Sequence, residues 1–495
     1  MPSLDTDRGK RLTMPKLLLL IVEAIAVAIL AIVATHLFGW NDGMKITISF
    51  FIAYLVPRVI LTRARGYSVA AGFILLAVAV MIVPFDIFRL LQWTRLDEFT
   101  LAFPDIQGDG RTYYKGALAM YNSSLTSQNS LIQPGFSMMI VGLWKLFGVS
   151  VVWPQAMNLM FTLTSLVLTG LTTRRLLTGR MAMSASSLVV LGMALCAMLC
   201  HYFVIGTSLL KEGTIYLAMA LAGFSLAAMA ACDEERHSPW RDIILLALAA
   251  MLITIVRASY LYFLMLGVAL MAIPNWRRDW LMALGAIAVL VLLLAAGRYL
   301  ELYSIERHGE VIGGGWNMNR FYINSETQQP YKSLLGYYFL YSPLHRLFML
   351  PIPLAAQFVS PLPWTHLGGI SYVNLISRFT WGWYFIGGTA LFYFLVLSWR
   401  RHENMGAWAW WPALVFAAIA HVMAGSVIRY VLPIQPFFVP MAAFVLGRCH
   451  EGRWRRQFHI WAIIYIILLL VALVISFKFK QGFFDPWLPE PPITE

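Results

Sequence analysis

Residues 8–42 read RGKRLTMPKLLLLIVEAIAVAILAIVATHLFGWND, a basic lead followed by an apolar run over 17–38. At about 1.5 Å of rise per residue, such a run crosses the ~30 Å of hydrocarbon in a bilayer. It ends at HLFGWND with no small-residue cleavage site, so it reads as a retained span and not as a signal peptide. Arg8, Lys10, Arg11 and Lys16 ahead of it hold the N-terminus on the cytoplasmic side. Every later element is placed outward from this orientation.

The rest of the chain has the same character. Of 495 residues, 60% are hydrophobic and 12% charged. A soluble domain carries about 25% charged residues. Mean hydropathy is +0.70, and apolar runs recur as far as residue 477. The fold class is therefore an all-α polytopic membrane protein. The net charge of +13 calls for no nucleic acid, because Lys and Arg gather in short loops between spans. Cys196, Cys200 and Cys232 lie in or at the ends of apolar runs and Cys449 in a basic loop. That spacing is neither a disulfide framework nor a zinc motif, and buried or inert thiols fit it better.

Spans follow near 46–61 and 69–91, and the loop RVILTRARGY with Arg58, Arg63 and Arg65 falls inside. Residues 92–133 then fall outside. The stretch 134–148, PGFSMMIVGLWKLFG, is apolar but too short to cross and reads as an interfacial helix. Spans near 154–172, 182–203, 213–231, 242–256, 259–274 and 280–297 carry the chain back and forth. They leave TTRRLLTGR, CDEERHSPWR and NWRRDW inside, and GTSLLKEG and VRASY outside. Residues 298–372 form a second long outer segment, in which proline-broken pieces such as FMLPIPLAAQFVSPLPW favour re-entrant or interfacial structure. Residues 334–360 stay open between a re-entrant piece and a span. Spans near 373–398, 406–424, 431–446 and 457–477 complete the chain, with WRRHE and GRCHEGRWRRQ inside and the tail DPWLPEPPITE outside.

The reading is about thirteen spans, with every short loop that carries two or more Arg on one side. It divides into a two-span extension at 1–68, a core at 69–456 with outer loops 92–133 and 298–372, and a last span with its tail at 457–495. No sequence repeat of the kind that marks inverted-repeat transporters is visible.

With sidedness set, the ionisable residues away from the cytoplasmic loops stand out. Asp105, Asp109, Arg111 and Lys115 lie in FPDIQGDGRTYYKGALAMYN of the first outer loop. Lys211 and Glu212 sit at the outer end of a span, Arg257 at a hairpin tip, and Arg320 in the second outer segment. Arg378 is near the outer start of a span, and Arg429 with Tyr430 opens RYVLPIQPFFVP. Carboxylates beside a set of cations suit a reaction in which an anionic group departs, since Arg offers a fork of donors to phosphate and Lys a mobile point charge. Plainer readings exist for each. GDG is also ordinary turn chemistry, Lys211 and Glu212 could mark a helix start, and Arg429 could snorkel to headgroups. His201, His345, His366 and His421 lack metal-ligand spacing, and the many Trp and Tyr match interfacial belts.

The order of these motifs resembles the membrane-embedded GT-C glycosyltransferases that use polyprenyl-phosphate sugars, and most the bacterial protein-mannosyltransferase and aminoarabinose-transferase type. Four stretches over about 69–450 carry the likeness: GDGRTYYKGALAMY, QPGFSMMIVGLWKLFGVS, TTRRLLTGR with the later SLLKEG, and RYVLP. Two extra spans precede the acidic loop here, and no soluble outer domain follows the last span. The resemblance implies a lipid-linked sugar donor and a glycan, lipid or protein acceptor at the outer face of the inner (plasma) membrane. It implies Asp109 as general base with Asp105 in support, and phosphate binding by Lys211, Arg257, Arg320 and Arg429. Glu212, Tyr113, Tyr114 and Tyr430 would contact substrate. Asp105 and Asp109 could together hold a divalent metal, although two carboxylates make a thin ligand set.

Two rivals share the polytopic form: a polysaccharide polymerase or O-antigen ligase, and a lipid-linked-glycan transporter or flippase. A transporter would bury charges in mid-span, and the spans read as nearly free of acids apart from Glu23.

Overall fold

In a computed structural model, residues 14–94, 109–122, 135–231, 239–257, 260–272, 276–299, 383, 388, 405–423, 432–448 and 452–480 are described. Among them every regular element is a helix, the form in which an apolar run satisfies its own backbone in lipid. The long hairpin α1 (Met14–Phe38) and α2 (Trp40–Arg63) leads into α3 (Val69–Thr94). Then come α4 (Asp109–Tyr121), α5 (Gly135–Phe147) and α6 (Val152–Leu177). Next are α7 (Ala185–Ala197), α8 (Cys200–Gly206), α9 (Glu212–Ala230) and α10 (Pro239–Arg257). The series closes with α11 (Tyr260–Ala272), α12 (Trp276–Tyr299), α13 (Met405–Met423), α14 (Val439–Arg448) and α15 (Gly452–Lys480).

Five of these are long and apolar enough to cross a membrane: α1, α2, α3 (to Trp93), α6 and α9. Others are apolar but shorter, against the roughly thirteen spans expected. Two differences have local causes. The span expected at 182–203 is broken into α7 and α8, with Leu199 at φ −77°, ψ 54°. No proline or glycine marks this break, so the sequence hides it. Tyr202 holds the short piece, stacked on Tyr216 at 3.9 Å and donating to Ser165 Oγ at 2.9 Å. The span expected from 431 starts as a turn and a 3-10 turn over Gln435–Phe438 before α14. Pro433, Pro436 and Pro440 remove three amide donors there.

Helix α6 is the axle, touching α2, α3, α5, α7, α8, α9 and α14. Helix α9 is buried along its whole length, while α1 lies at the rim. Between apolar helices in lipid there is little hydrophobic drive to associate, so close packing must supply it. Small residues allow that approach. A methyl group at Gly192 would stand 2.6 Å from Thr173 Oγ1, and one at Gly213 would stand 2.5 Å from the Gly206 carbonyl oxygen. The Ser and Thr hydroxyls that line α6 mostly bond back to their own helix, as Thr169 does to Ser165 O at 2.8 Å.

The arginines of the short loops gather at one end of the bundle. Arg174 donates to Arg65 O, Arg180 to Ala230 O at 2.6 Å, and Arg448 to Arg180 O at 3.1 Å. Each caps the final carbonyls of a neighbouring helix or turn, where cations are favoured. Deeper at this end Arg175 grips Asp242 in a fork, both bonds 2.8 Å. On the rim, Arg58 and Tyr54 share Glu23, which neutralises the acid in α1.

One expectation fails. The spans are not nearly free of acids: Asp86 lies inside α3 with no exposure, and Asp242 is buried in the first turn of α10. Each is tolerated because an arginine within reach, Arg89 or Arg175, pairs with it.

Candidate functional site

The opposite end of the bundle is built around the α4–α5 hairpin. Helix α4 begins at Asp109, so that acid opens the first turn, where unpaired amides favour a carboxylate. A place at a helix start is a structural reason for an acid at this position. Tyr113 follows one turn later on the same face. Its ring is mostly buried, packed edge-on against Phe136 at 5.3 Å, and its carbonyl accepts from Ser137 Oγ at 3.0 Å. Tyr114 turns the other way, between Trp93 and Trp144 at 5.2 and 5.4 Å. The two tyrosines therefore dock α4 through different partners, and only Tyr113 faces the cationic side.

The cation there is Lys211. Its Nζ lies 5.8 Å from the Tyr113 ring centre, within cation–π range. Lys211 is the residue from which α9 starts, and Glu212 occupies the first turn, 2% exposed. A buried carboxylate at a helix start interacts with that helix's own amides. Arg257 closes α10 and lies over Tyr260 at 5.6 Å. The start of α5 rests on the end of α10, since a methyl at Gly135 would run into the Ile255 carbonyl oxygen. Asp109, Tyr113, Lys211, Glu212 and Arg257 thus belong to elements that converge at one end. Asp105, Arg320, Arg429 and Tyr430 lie outside the described residues, as does the Asp109 side chain. Among the described residues no group of three His, Cys, Asp or Glu could hold a metal ion, and the Asp105–Asp109 pair is not part of that set.

Sequence reasoning passed over a polar cluster just beneath. Arg89 bonds Asp86 Oδ1 at 3.2 Å, Thr207 Oγ1 at 3.3 Å and Val204 O at 2.9 Å. Asn158 Nδ2 donates to Ser208 O and Leu210 O at 2.5 and 2.8 Å, and Gln155 Nε2 to Asp86 O at 3.0 Å. The available signal was an acid and an arginine three residues apart in the third span, plus two amides three apart in the next long span.

The chain matches no family model, no curated protein and no solved structure.

Proposed function

We propose that this is an integral-membrane glycosyltransferase of GT-C-like architecture, moving a sugar from a polyprenyl-phosphate carrier to a glycan, lipid or protein acceptor. It would work at the outer face of the plasma membrane, with a cytoplasmic N-terminus and the C-terminal tail outside. The observation that carries the reading is Lys211 beside Tyr113, one turn from Asp109, at the end away from the arginine-capped loops. That end offers a carboxylate and cations together, and the arginine-rich end is the one that short-loop charge favours on the inside.

In this reading the acceptor hydroxyl gives its proton to Asp109 as its oxygen attacks the anomeric carbon. The bond from that carbon to the phosphate oxygen breaks, and the polyprenyl phosphate leaves with the electron pair. Lys211, Arg257, Arg320 and Arg429 meet the developing charge. Asp105, Glu212 and Tyr430 shape acceptor and sugar subsites with Tyr113, which also lies beside Lys211, while Tyr114, packed between Trp93 and Trp144, supports α4 from the other side.

The test is transfer by the purified chain in nanodiscs, with a panel of polyprenyl-phosphate sugars and glycan, lipid and peptide acceptors. Asp109→Asn should reduce transfer by about 10²–10⁴-fold and spare donor binding. A transporter is the second reading, favoured by the buried Asp86–Arg89 pair and the helix broken at Leu199. Movement of a lipid-linked glycan across proteoliposomes without bond cleavage would replace the enzyme reading with that one.

A further inference from the structure

Between α8 and α9, two buried helices of the described core are joined by non-helical backbone at Thr207–Leu210. Carbonyls freed there need partners, because lipid offers none. They find them on two side chains from other helices. From α3, Arg89 reaches Val204 O at 2.9 Å and Thr207 Oγ1 at 3.3 Å, and is itself braced by Asp86 at 3.2 Å. From α6, the two hydrogens of Asn158 Nδ2 serve Ser208 O and Leu210 O. Asp86 is in turn tied to α6 by Gln155. The residue after this gripped segment is Lys211, whose ammonium lies over Tyr113.

We infer that Arg89, braced by Asp86, and Asn158 are positioning residues that fix the ammonium of Lys211 at the site where a donor phosphate binds. The phosphate part of this inference rests on the glycosyltransferase reading; the positioning part does not. A lysine on a long flexible stem is otherwise a poorly placed charge. Here its backbone is anchored from both sides: by Asn158 at Leu210 O, and by α9, whose Ile215 amide bonds Lys211 O at 3.1 Å.

The positioning is read directly on Lys211. In full-length protein in nanodiscs, lysines are ¹³C-methylated reductively, and the Lys211 resonance is assigned by its loss in Lys211→Arg. The Tyr113 ring current shifts that resonance, and Tyr113→Leu gives its unshifted position. Asn158→Leu keeps the branched shape and removes both donors, and it should move the resonance most of the way to the unshifted position. Thr207→Val removes one acceptor of Arg89 and should move it part way. If Asn158→Leu does not give monodisperse protein, Thr207→Val and Arg89→Lys decide. A resonance that stays at its wild-type place in the folded variants overturns the proposal.

A second arm measures undecaprenyl phosphate binding. Lys211→Gln and Asn158→Leu should each weaken it about tenfold, and the double variant no further, since both act through one charge. Independent, multiplying losses would make Asn158 merely structural. Equal binding by wild type and Lys211→Gln would remove the phosphate reading, and the resonance would then judge positioning alone.

Discussion

The ammonium of Lys211, at the start of one buried helix, lies 5.8 Å from the ring of Tyr113, which belongs to a helix about a hundred residues earlier. Two candidate site residues chosen separately from the sequence are thereby neighbours. A cation above a tyrosine ring gains about 0.5–1 kcal/mol at a partly exposed position. The ring contact by itself contributes little to stability. Lys211→Gln should therefore leave the thermal midpoint near wild type. Polyprenyl-phosphate affinity should fall about tenfold or more, as expected for losing a charge-assisted bond worth ~1.5–3 kcal/mol. Tyr113→Phe, which keeps the ring, should bind the lipid as wild type does. Equilibrium binding in nanodiscs decides.

Arg429 is the second cation to test. It opens RYVLP, just before the turn at Leu432. Arg429→Ala in a well-folded protein should weaken donor use about tenfold or more for the same reason. Normal donor use and turnover would remove it from the site and leave Lys211 and Arg257 as the phosphate partners.

Arg175 and Asp242 form the buried pair at the other end, Arg175 having no exposure. Removing one partner strands a charge among apolar side chains. Asp242→Asn or Arg175→Met should therefore lower stability by ~3–5 kcal/mol, seen as a depressed unfolding midpoint in detergent. The double variant Arg175→Met with Asp242→Leu should recover much of that loss, because apolar groups of similar volume suit the site. A double variant no better than the singles would assign the pair a role beyond charge compensation, such as ordering the carbonyl of Phe224 that Arg175 also meets.

Much of this organisation was legible in the sequence because it follows from length and charge. The apolar runs mark α1, α2, α3, α6 and α9, and the arginines of RVILTRARGY, TTRRLLTGR and GRCHE do meet at one end of the bundle. The short α5 was legible from its length alone. What was hidden depends on tertiary context. The break at Leu199 has no local breaker, and the piece beyond it is held by Tyr202 stacked on Tyr216. Asp86 was passed over when the spans were read as nearly free of acids; its meaning comes from Arg89 one turn on, which reaches the Val204 carbonyl more than a hundred residues away. A one-dimensional pattern records periodicity, and it cannot record which carbonyl lacks a partner.

Glycines give a paired stability test. A methyl at Gly213 would stand 2.5 Å from Gly206 O and 2.8 Å from Asn158 Oδ1, whereas one at Gly142 meets nothing within 4 Å. Gly213→Ala should push α9 away from α6 and α8, lowering the unfolding midpoint and the yield of monodisperse protein. Gly142→Ala, inside α5, should be neutral or stabilising by ~0.5–1 kcal/mol through helix propensity. Equal behaviour of the two would mean that the α6–α8–α9 contact has room for an added methyl.

The sidedness on which the chemistry depends can be tested without any substrate. The arginine-capped end includes the turn at 178–184, where Ala182 is exposed. The opposite end carries α4 and α5, and the segment 298–372 is expected on that same side. In a chain with Cys232 and Cys449 replaced by Ser, the remaining Cys196 and Cys200 are buried and give little background. Ser124→Cys and Ser325→Cys should then react with an impermeant maleimide added to intact cells. Ala182→Cys should react only after the membrane is opened. The physical reason is the positive-inside bias acting on loops that carry two or more arginines each. Labelling of Ala182→Cys from outside, with the two serine positions protected, would invert the protein. A lipid-linked donor presented at the outer leaflet could then no longer reach Asp109 and Lys211.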